Sequence, residues 1–351
     1  MAKTFDEMPP RVGVDKFPVW GKLVDEAQSM HLPFQINSEE PYPLKGLFAM
    51  GLNYRMWPNP QFLADSLKKM DFIVNVDIFM TDSCKLADII LPACTSVERS
   101  EFRCYPQRYA IFTQPVIEPL YESKADVDII FDLAKRLELD DPLLQAGYEA
   151  SLDWILEPSG MTVEELKKHP AGMFVPDPKE FPEKKYLKGF KTPSGKMEFK
   201  SLILEEYKDS GYEALPVYQP PKYSKEATPE LANEYPLILN TGSRLPMFIH
   251  SRTFRLPWTR SLRPEVCADL SPQDGIKLGI KQGDTIKIST PLNSITVKAN
   301  LTNIVQPGVV HMYHAYPEAD VNSLIEADYL DPVSGFPGYK SLLCKVERVD
   351  K

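Results

Sequence analysis

Residues 75–103 read NVDIFMTDSCKLADIILPACTSVERSEFR: two apolar runs, a polar turn between them, and no glycine anywhere. The first run ends DFIVNV at Asp77, and the second, ADIIL, is closed by Pro92. Working back, LKGLFAM (44–50) stops at Gly51, and after the turn GLNYRMWPNP the segment QFLADSLKKM sets Phe62, Leu63, Leu67 and Met70 at helical spacing. Strand, glycine turn, helix and strand predict a βαβ unit, whose buried parallel strands read as continuous apolar runs, with ADIIL as a third strand. Working forward, SKADVDIIFDLAKRLEL (123–139) opens with Ser123 and Asp126 at capping-box spacing. It presents Val127, Ile130, Leu133, Ala134 and Leu137 on one face, which predicts a helix covering that sheet.

Asp77 sits at the carboxyl end of a parallel strand, the edge where ligands bind in open α/β sheets. A carboxylate there can accept hydrogen bonds from ribose hydroxyls or a guanine N–H edge. It can equally cap the turn into MTDSCKL, and spacing alone leaves both readings open. Gly51 and Asn53 lie at the matching end of the preceding strand, where a glycine lets a ligand approach the backbone closely.

The first forty residues read as irregular apart from VWGKLVDEAQSM (19–30), a short amphipathic helix candidate. Residues 141–235 combine short helices at TVEELKKH and SLILEEYKDSG with KTPSGKMEF and the linker-like LPVYQPPKYSKEATPELANEYP. Beyond it PLILNT, VCADL, DTIKIST, SITVKANLT, GVVHMYH and SLLCKVERV read as strands separated by turns. One helix interrupts them: Ser271 is its N-cap, Pro272 its first residue, Asp274 completes the box, and Gly279 ends it in a left-handed position. These elements predict a small closed β-barrel.

The composition of the 351 residues, 43% hydrophobic and 25% charged, is that of a soluble globular chain, and the length suggests two domains. A net charge of −9 argues against nucleic acid as a partner, because phosphate neutralisation needs a surplus of Lys and Arg. A small ligand or another protein fits better. The opening MAKTFDEMPPRVGVDKF lacks the pattern of an export signal, and no run of 18 apolar residues exists to insert in a bilayer, so a cytoplasmic location is expected, or a periplasmic one only by export with a partner. The five cysteines are unpaired by spacing and expected to be buried reduced thiols.

In the barrel region LNTGSRLP opens a strand end into Thr241, Gly242 and Ser243, whose backbone N–H groups could converge on an anion as a nest, with Arg244 beside them. FIHSRTFR brings together His250, Ser251, Arg252 and Thr253, a donor-rich set suited to a pterin or a phosphate. A lone His250 would more often be a structural histidine. His311 and His314, three apart on a strand, make a poor metal pair and receive no metal role.

In their order, GLNYRMWPNP, the 72–101 blocks, TPSGKMEF, PLILNTGSRLPMFIHSRTFR, the 266–310 blocks and DPVSGFPGYKSLLCKV resemble the carboxyl-terminal half of the molybdopterin oxidoreductase family, relatives of dimethyl sulfoxide reductase. The resemblance covers about residues 40–348. It implies an α/β fold: a parallel, doubly wound Rossmann-like lobe (41–140) after an irregular 1–40, a mixed connecting segment (141–235), and a double-psi-like barrel domain (236–351) that binds molybdopterin dinucleotide. It implies bis(molybdopterin guanine dinucleotide) with molybdenum or tungsten, and two-electron redox or oxygen-atom transfer on a small-molecule substrate. A non-redox hydratase or hydroxyl-transferase, or a non-catalytic pterin-nucleotide binding module, are the alternatives. Cofactor contacts implied by position are Gly51, Asn53, Asp77, Thr81, Thr241, Gly242, Ser243, Arg244, His250, Ser251, Arg252, Thr253, Asn322, Tyr339 and Lys340. Asp77 would take a guanosine end, which needs no glycine-rich phosphate loop. No catalytic side chain or metal ligand is assigned. The family's amino-terminal iron–sulfur cluster and metal-ligating residue have no counterpart in this sequence, so the missing half or a separate subunit is the expected partner. RSEFR after Glu98 replaces a common glycine–threonine pair and points toward the polysulfide, thiosulfate or acetylene-hydratase-like branches.

Overall fold

A computed structural model describes residues 9–106, 108–175 and 185–349; the opening MAKTF lies outside them. The chain forms two compact units, a barrel unit (1–45, 53–70 and 198–351) and a sheet unit (46–52 and 71–197).

In the sheet unit β1 (Gly46–Met50), β2 (Phe72–Asp77) and β3 (Ile89–Pro92) form a parallel sheet in that order, with Val74 opposite both Phe48 and Ile89. The central strand buries Ile73, Val74 and Val76, while Ile89 and Ile90 on the edge strand are exposed. The parallel strands thus match the expectation from the apolar runs. A second sheet, which the sequence reading did not anticipate, pairs β4 (Glu101–Tyr105), β5 (Tyr109–Thr113) and β6 (Met173–Phe174) antiparallel. Ala110 and Phe112 of β5 pack with Leu152, Leu156, Val163 and Leu166 from the helices Tyr148–Leu156 and Val163–Lys167.

The helix Asp126–Arg136 forms where expected, but its details differ. Its N-cap is Ala125 with no side-chain bond, and Ser123 instead donates to the Leu120 carbonyl at 2.7 Å. Ile129 and Ala134 are its buried residues, whereas Ile130, Leu133 and Leu137 are exposed. It packs on Pro142–Ala146 and Tyr148–Leu156, two helices absent from the sequence reading, and that packing rotates its buried face away from the expected one.

In the barrel unit residues 9–40 hold the short α-helices Pro18–Leu23 and Leu32–Ser38, so the helix expected over 19–30 stops early. Pro60–Leu67 buries Leu63 and Leu67 as its spacing predicts and packs on Leu32–Ser38, with Asn37 Nδ2 donating to Ser66 Oγ at 2.7 Å. The closed barrel takes β7 (Leu237–Asn240), β8 (Cys267–Leu270), β9 (Thr285–Ser289), β10 (Ser294–Leu301), β11 (Val309–Met312) and β12 (Leu342–Arg348) in the spatial order β10-β8-β11-β7-β12-β9. Alternate residues point inward, and Leu239, Leu270, Ile286, Ile288, Val310 and Met312 fill a core that excludes water. Pro272–Leu278 has the expected ends: Ser271 Oγ accepts from the Asp274 N–H at 3.0 Å, and Gly279 has φ 64°. Asp274 does not close the box onto the Ser271 amide; its carboxylate accepts from Ser271 Oγ and from the Gly308 N–H, both at 2.7 Å.

Of the cysteines, Cys84, Cys94 and Cys344 are buried and all five are free, but Cys104 is exposed and Cys267 partly so. Cys104 lies on β4, whose side chains are half-buried at most. No helix among the described residues is long and apolar enough to cross a membrane.

Candidate functional site

The loop Leu245–Thr253 leaves β7 through a short helical turn, Pro246–Phe248, anchored by the fully buried Phe248 against Tyr316. It then turns through three successive left-handed residues, Ile249 (φ 44°), His250 (φ 55°) and Ser251 (φ 69°). Each such residue costs about 1–2 kcal/mol, so the run persists only where other contacts hold it. Asn53 supplies them: its Nδ2 donates to the His250 carbonyl at 3.1 Å and to Ser251 Oγ at 2.6 Å. Thr253 Oγ1 closes the loop by donating to the Met247 carbonyl at 2.5 Å.

This turn forms one wall of a cavity of about 450 Å³ contained in the barrel unit. His250 stacks on His314 with ring centroids 5.1 Å apart, and His250 Nδ1 meets His314 Nε2 at 3.0 Å. Gly242 (φ 80°) makes the floor, where a Cβ would lie 3.0 Å from the Cβ of Tyr339. The Tyr339 hydroxyl donates to the Met56 carbonyl at 2.6 Å. Opposite, Asn322 Nδ2 donates to the Arg55 carbonyl at 2.7 Å, while its buried Oδ1 has no partner. Trp20, Met30 and Phe336 complete the rim, tied by Gln28, which donates to the Ser334 carbonyl. Behind Asn322, Arg55 NH1 pairs with Asp320 Oδ2 at 3.1 Å.

Burial controls the charge states. It lowers the His314 pKa to about 4, helped by His250 and Arg244 and opposed by the Ser243 carbonyl. His250 is lowered by burial and by the nearby Arg244 and Arg252 guanidiniums. The Tyr339 phenol is raised by burial and by Asp320, and burial raises Asp320 against the pull of Arg55. Such a concentration of perturbed groups around one cavity is characteristic of functional sites.

Of the residues singled out from sequence, Gly242, His250, Asn322 and Tyr339 line the cavity, with Asn53 and Ser251 behind His250. Arg244, Arg252 and Lys340 are exposed. Thr241 is buried, and both its N–H and Oγ1 bond to the Tyr339 carbonyl, at 2.7 and 2.8 Å, so its amide is not available to the expected anion nest. Thr253 is likewise engaged within its own loop. In the sheet unit, Gly51 (φ 65°) ends β1 with open space at its Cβ position. Asp77 accepts from the Phe79 N–H at 3.2 Å and from Thr81 Oγ1 at 3.4 Å, the bonds of a turn cap, and Thr81 Oγ1 accepts from the Cys84 N–H at 3.2 Å. Sequence reasoning missed Trp20, Gln28, Met56, His314 and Phe336, and only His314, near the end of a barrel strand, carried a local signal.

Residues 237–343 match the model of the Molydopterin dinucleotide binding domain, and residues 26–136 match that of Molybdopterin oxidoreductase. Between them the two stretches make up well over half of the chain. The chain belongs to the molybdopterin oxidoreductase family. Acetylene hydratase of Syntrophotalea acetylenica is 33% identical over 258 residues, 72% of this chain and 34% of that protein. Dimethyl sulfoxide reductase of Escherichia coli is 30% identical over 272 residues (69% and 32%), and dopamine dehydroxylase of Eggerthella lenta 26% over 424 (96% and 41%). The solved acetylene hydratase from Pelobacter acetylenicus has the same fold, with a TM-score of 0.83 at 24% identity over 97% of this chain and 52% of that one. The chain spans a third to a half of the length of the curated relatives it matches. As a molybdopterin oxidoreductase family member it uses bis(molybdopterin guanine dinucleotide) carrying molybdenum or tungsten. Gly242, His250, His314, Asn322 and Tyr339 all fall within the dinucleotide-binding match.

Proposed function

We propose that this chain supplies one wall of the cofactor site of a molybdenum or tungsten bis(pterin guanine dinucleotide) oxidoreductase, and that the barrel-unit cavity holds the heterocyclic part of one such cofactor. The observation that carries the reading is the buried, unpartnered Oδ1 of Asn322, a residue of the cavity lining. The residues fit the group. The cavity is large enough for a fused ring system, Gly242 lets Tyr339 pack close against its backbone, and Met30, Met56, Trp20 and Phe336 offer apolar surface to ring faces. Exposed Arg244 and Arg252, close enough to depress His250, suit the pyrophosphate outside the cavity. In the sheet unit, Asp77, Thr81 and Gly51 are proposed as a guanosine-binding strand end, and Ser251 and Lys340 as further contacts.

When bound, the cofactor supplies a metal that cycles between oxidation states on four dithiolene sulfurs. The chain's own residues bind, orient and set the polarity of the pocket: Asn53 fixes the His250 turn, the Arg55–Asp320 pair fixes Asn322, and the rim limits access by water. Two-electron redox or oxygen-atom transfer on a small molecule is the proposed reaction class. The functional division at 41–140, 141–235 and 236–351, with a Rossmann-like lobe and a double-psi-like barrel, belongs to the same proposal, as does a second polypeptide or polypeptide segment bearing the metal ligand. A hydratase reading is favoured by one observation, the 33% identity to acetylene hydratase across 72% of the chain.

The test is metal and nucleotide analysis of the chain coexpressed with a full-length relative's amino-terminal half. Copurifying molybdenum or tungsten with guanine nucleotide is expected, and both should fall in Asn322→Leu and Asp77→Ala. A complex that assembles without either would overturn the reading. Stoichiometric metal and sustained turnover in the isolated chain would overturn the need for a second segment.

A further inference from the structure

The helix Asp126–Arg136 gathers its apolar residues on one face, and the structure leaves the middle of that face without cover. Ile130, Leu133 and the C-cap residue Leu137, at spacing i, i+3 and i+7, are 41%, 38% and 60% exposed, while Ile129 and Ala134 beside them are buried. The helix is not free to roll and hide this stripe. Its start hangs from the end of β3: the Cys94 N–H donates to the Lys124 carbonyl at 2.9 Å, and the Lys124 N–H to the Pro92 carbonyl at 3.1 Å. Arg99 NH1 pairs with Asp126 at 3.0 Å, and Lys124 Nζ with Asp132 at 2.7 Å. The parallel sheet of the same unit is bare in a like manner. Phe48 and Ile89 flank Val74 in one row across one face of it, and they are 41% and 45% exposed. Parallel strands are normally covered on both faces, so this unit is shaped to receive a further layer of polypeptide.

Two features say what that layer is. A row that recurs at each helical turn over about 10 Å matches the ridge of another helix. Residues 118–141 hold eight carboxylates against three cations, so the surroundings of the stripe attract base and repel acid. A second copy of the chain is the wrong partner, because across a twofold axis this surface would meet itself, carboxylate against carboxylate. We propose that the Ile130–Leu133–Leu137 stripe is the docking site for an amphipathic helix, apolar on one face and flanked by Lys and Arg, belonging to the second polypeptide segment that bears the metal ligand. The proposal rests on the cofactor reading above, which calls for that segment, and deepens it by placing the segment on the sheet unit.

The test mixes the full chain with the separately expressed amino-terminal half of acetylene hydratase of Syntrophotalea acetylenica. Leu133→Glu changes an exposed position, so it should leave the denaturant midpoint unchanged and weaken binding of that half at least about tenfold. Reversing two exposed charges, Glu138→Lys with Asp140→Lys, should weaken binding about threefold and make it less sensitive to salt. Ile276→Glu, at an 82% exposed position in the barrel unit, should bind as the wild type does. A benzophenone photocrosslinker in place of Leu133 should attach to a helix of the added half, and this measurement needs no charged variant to fold. Binding that survives Leu133→Glu, equal weakening by Ile276→Glu, a crosslink to another copy of this chain, or no binding by the wild type overturns the proposal. Metal and guanine nucleotide in a complex that survives Leu133→Glu would leave the cofactor reading standing without this docking site. A complex broken by Leu133→Glu that carries neither would remove the cofactor reading and keep the docking site.

Discussion

Asp77 and Asn322 are both small polar side chains expected from the sequence to contact a cofactor, but the structure treats them in opposite ways. Asp77 has both oxygens engaged within four residues of itself, on Phe79 N–H and Thr81 Oγ1. Asn322 keeps a buried oxygen unpartnered, held in that state by a bond from its own amide to the Arg55 carbonyl 267 residues away in sequence. The difference teaches that a binding site shows as hydrogen-bonding capacity the fold could have satisfied and did not. By that measure Asn322 is the stronger candidate contact of the two, and Asp77 binds a nucleotide only by exchanging its cap bonds for ligand bonds.

Four measurements bear on that contrast. The largest effect is expected at His314. Its pKa is depressed from 6.5 to about 4, so the unfolded chain binds the proton more readily. Its contribution is therefore fully present above about pH 6.5 and is lost as pH falls toward 4, by roughly 3 kcal/mol. Denaturant midpoints of the barrel unit across that range should fall more steeply in the wild type than in His314→Gln, and equal slopes would refute the assignment. Next, Asn53→Leu should cost about 2 kcal/mol by releasing the left-handed turn, seen as faster proteolysis near residues 249–252. Asp77→Ala should cost about 1 kcal/mol or less in the ligand-free chain, because its two bonds are long and local. Asn322→Leu is expected to be nearly neutral, since it loses one bond but also removes a buried unsatisfied oxygen. A large destabilisation there would erase the contrast.

What the sequence reveals follows the range of the forces involved. β2 and all six barrel strands were legible because burial of one or both faces leaves its period in adjacent residues, as in DTIKIST and SITVKANLT, and β3 was legible as an apolar run although Ile89 and Ile90 are exposed. The β4–β5 hairpin was not, because β4 buries no side chain fully, Phe102 being half-buried and Arg103, Cys104 and Tyr105 exposed, so SEFRCY reads as a polar loop. The Asp126–Arg136 helix was found but its buried face was misjudged, since partner helices rather than its own pattern choose the face. At the site, Gly242, His250, Asn322 and Tyr339 were identified by resemblance to a family. The His250–His314 contact was invisible, spanning 64 residues and depending on a loop turned by Asn53 from yet another segment.

The order of strands around the barrel also sets a timetable. β12 is the last of the six strands in the chain, yet it is inserted between β7 and β9, pairing Cys344 with Leu237 and Val346 with Ile288. Until it is synthesised and released, those two neighbours are open edges, ready to pair with any strand that passes. During translation the barrel therefore waits, with five strands made and its seam unclosed, for the sixth to emerge. Closure over more than a hundred residues is a slow, late step. Tyr339 lies just ahead of that closing strand, and the Thr241 N–H and hydroxyl both bond to its carbonyl, so the cavity and the barrel seam are completed in the same event. A nascent chain that lacks β12 therefore also lacks the completed cavity.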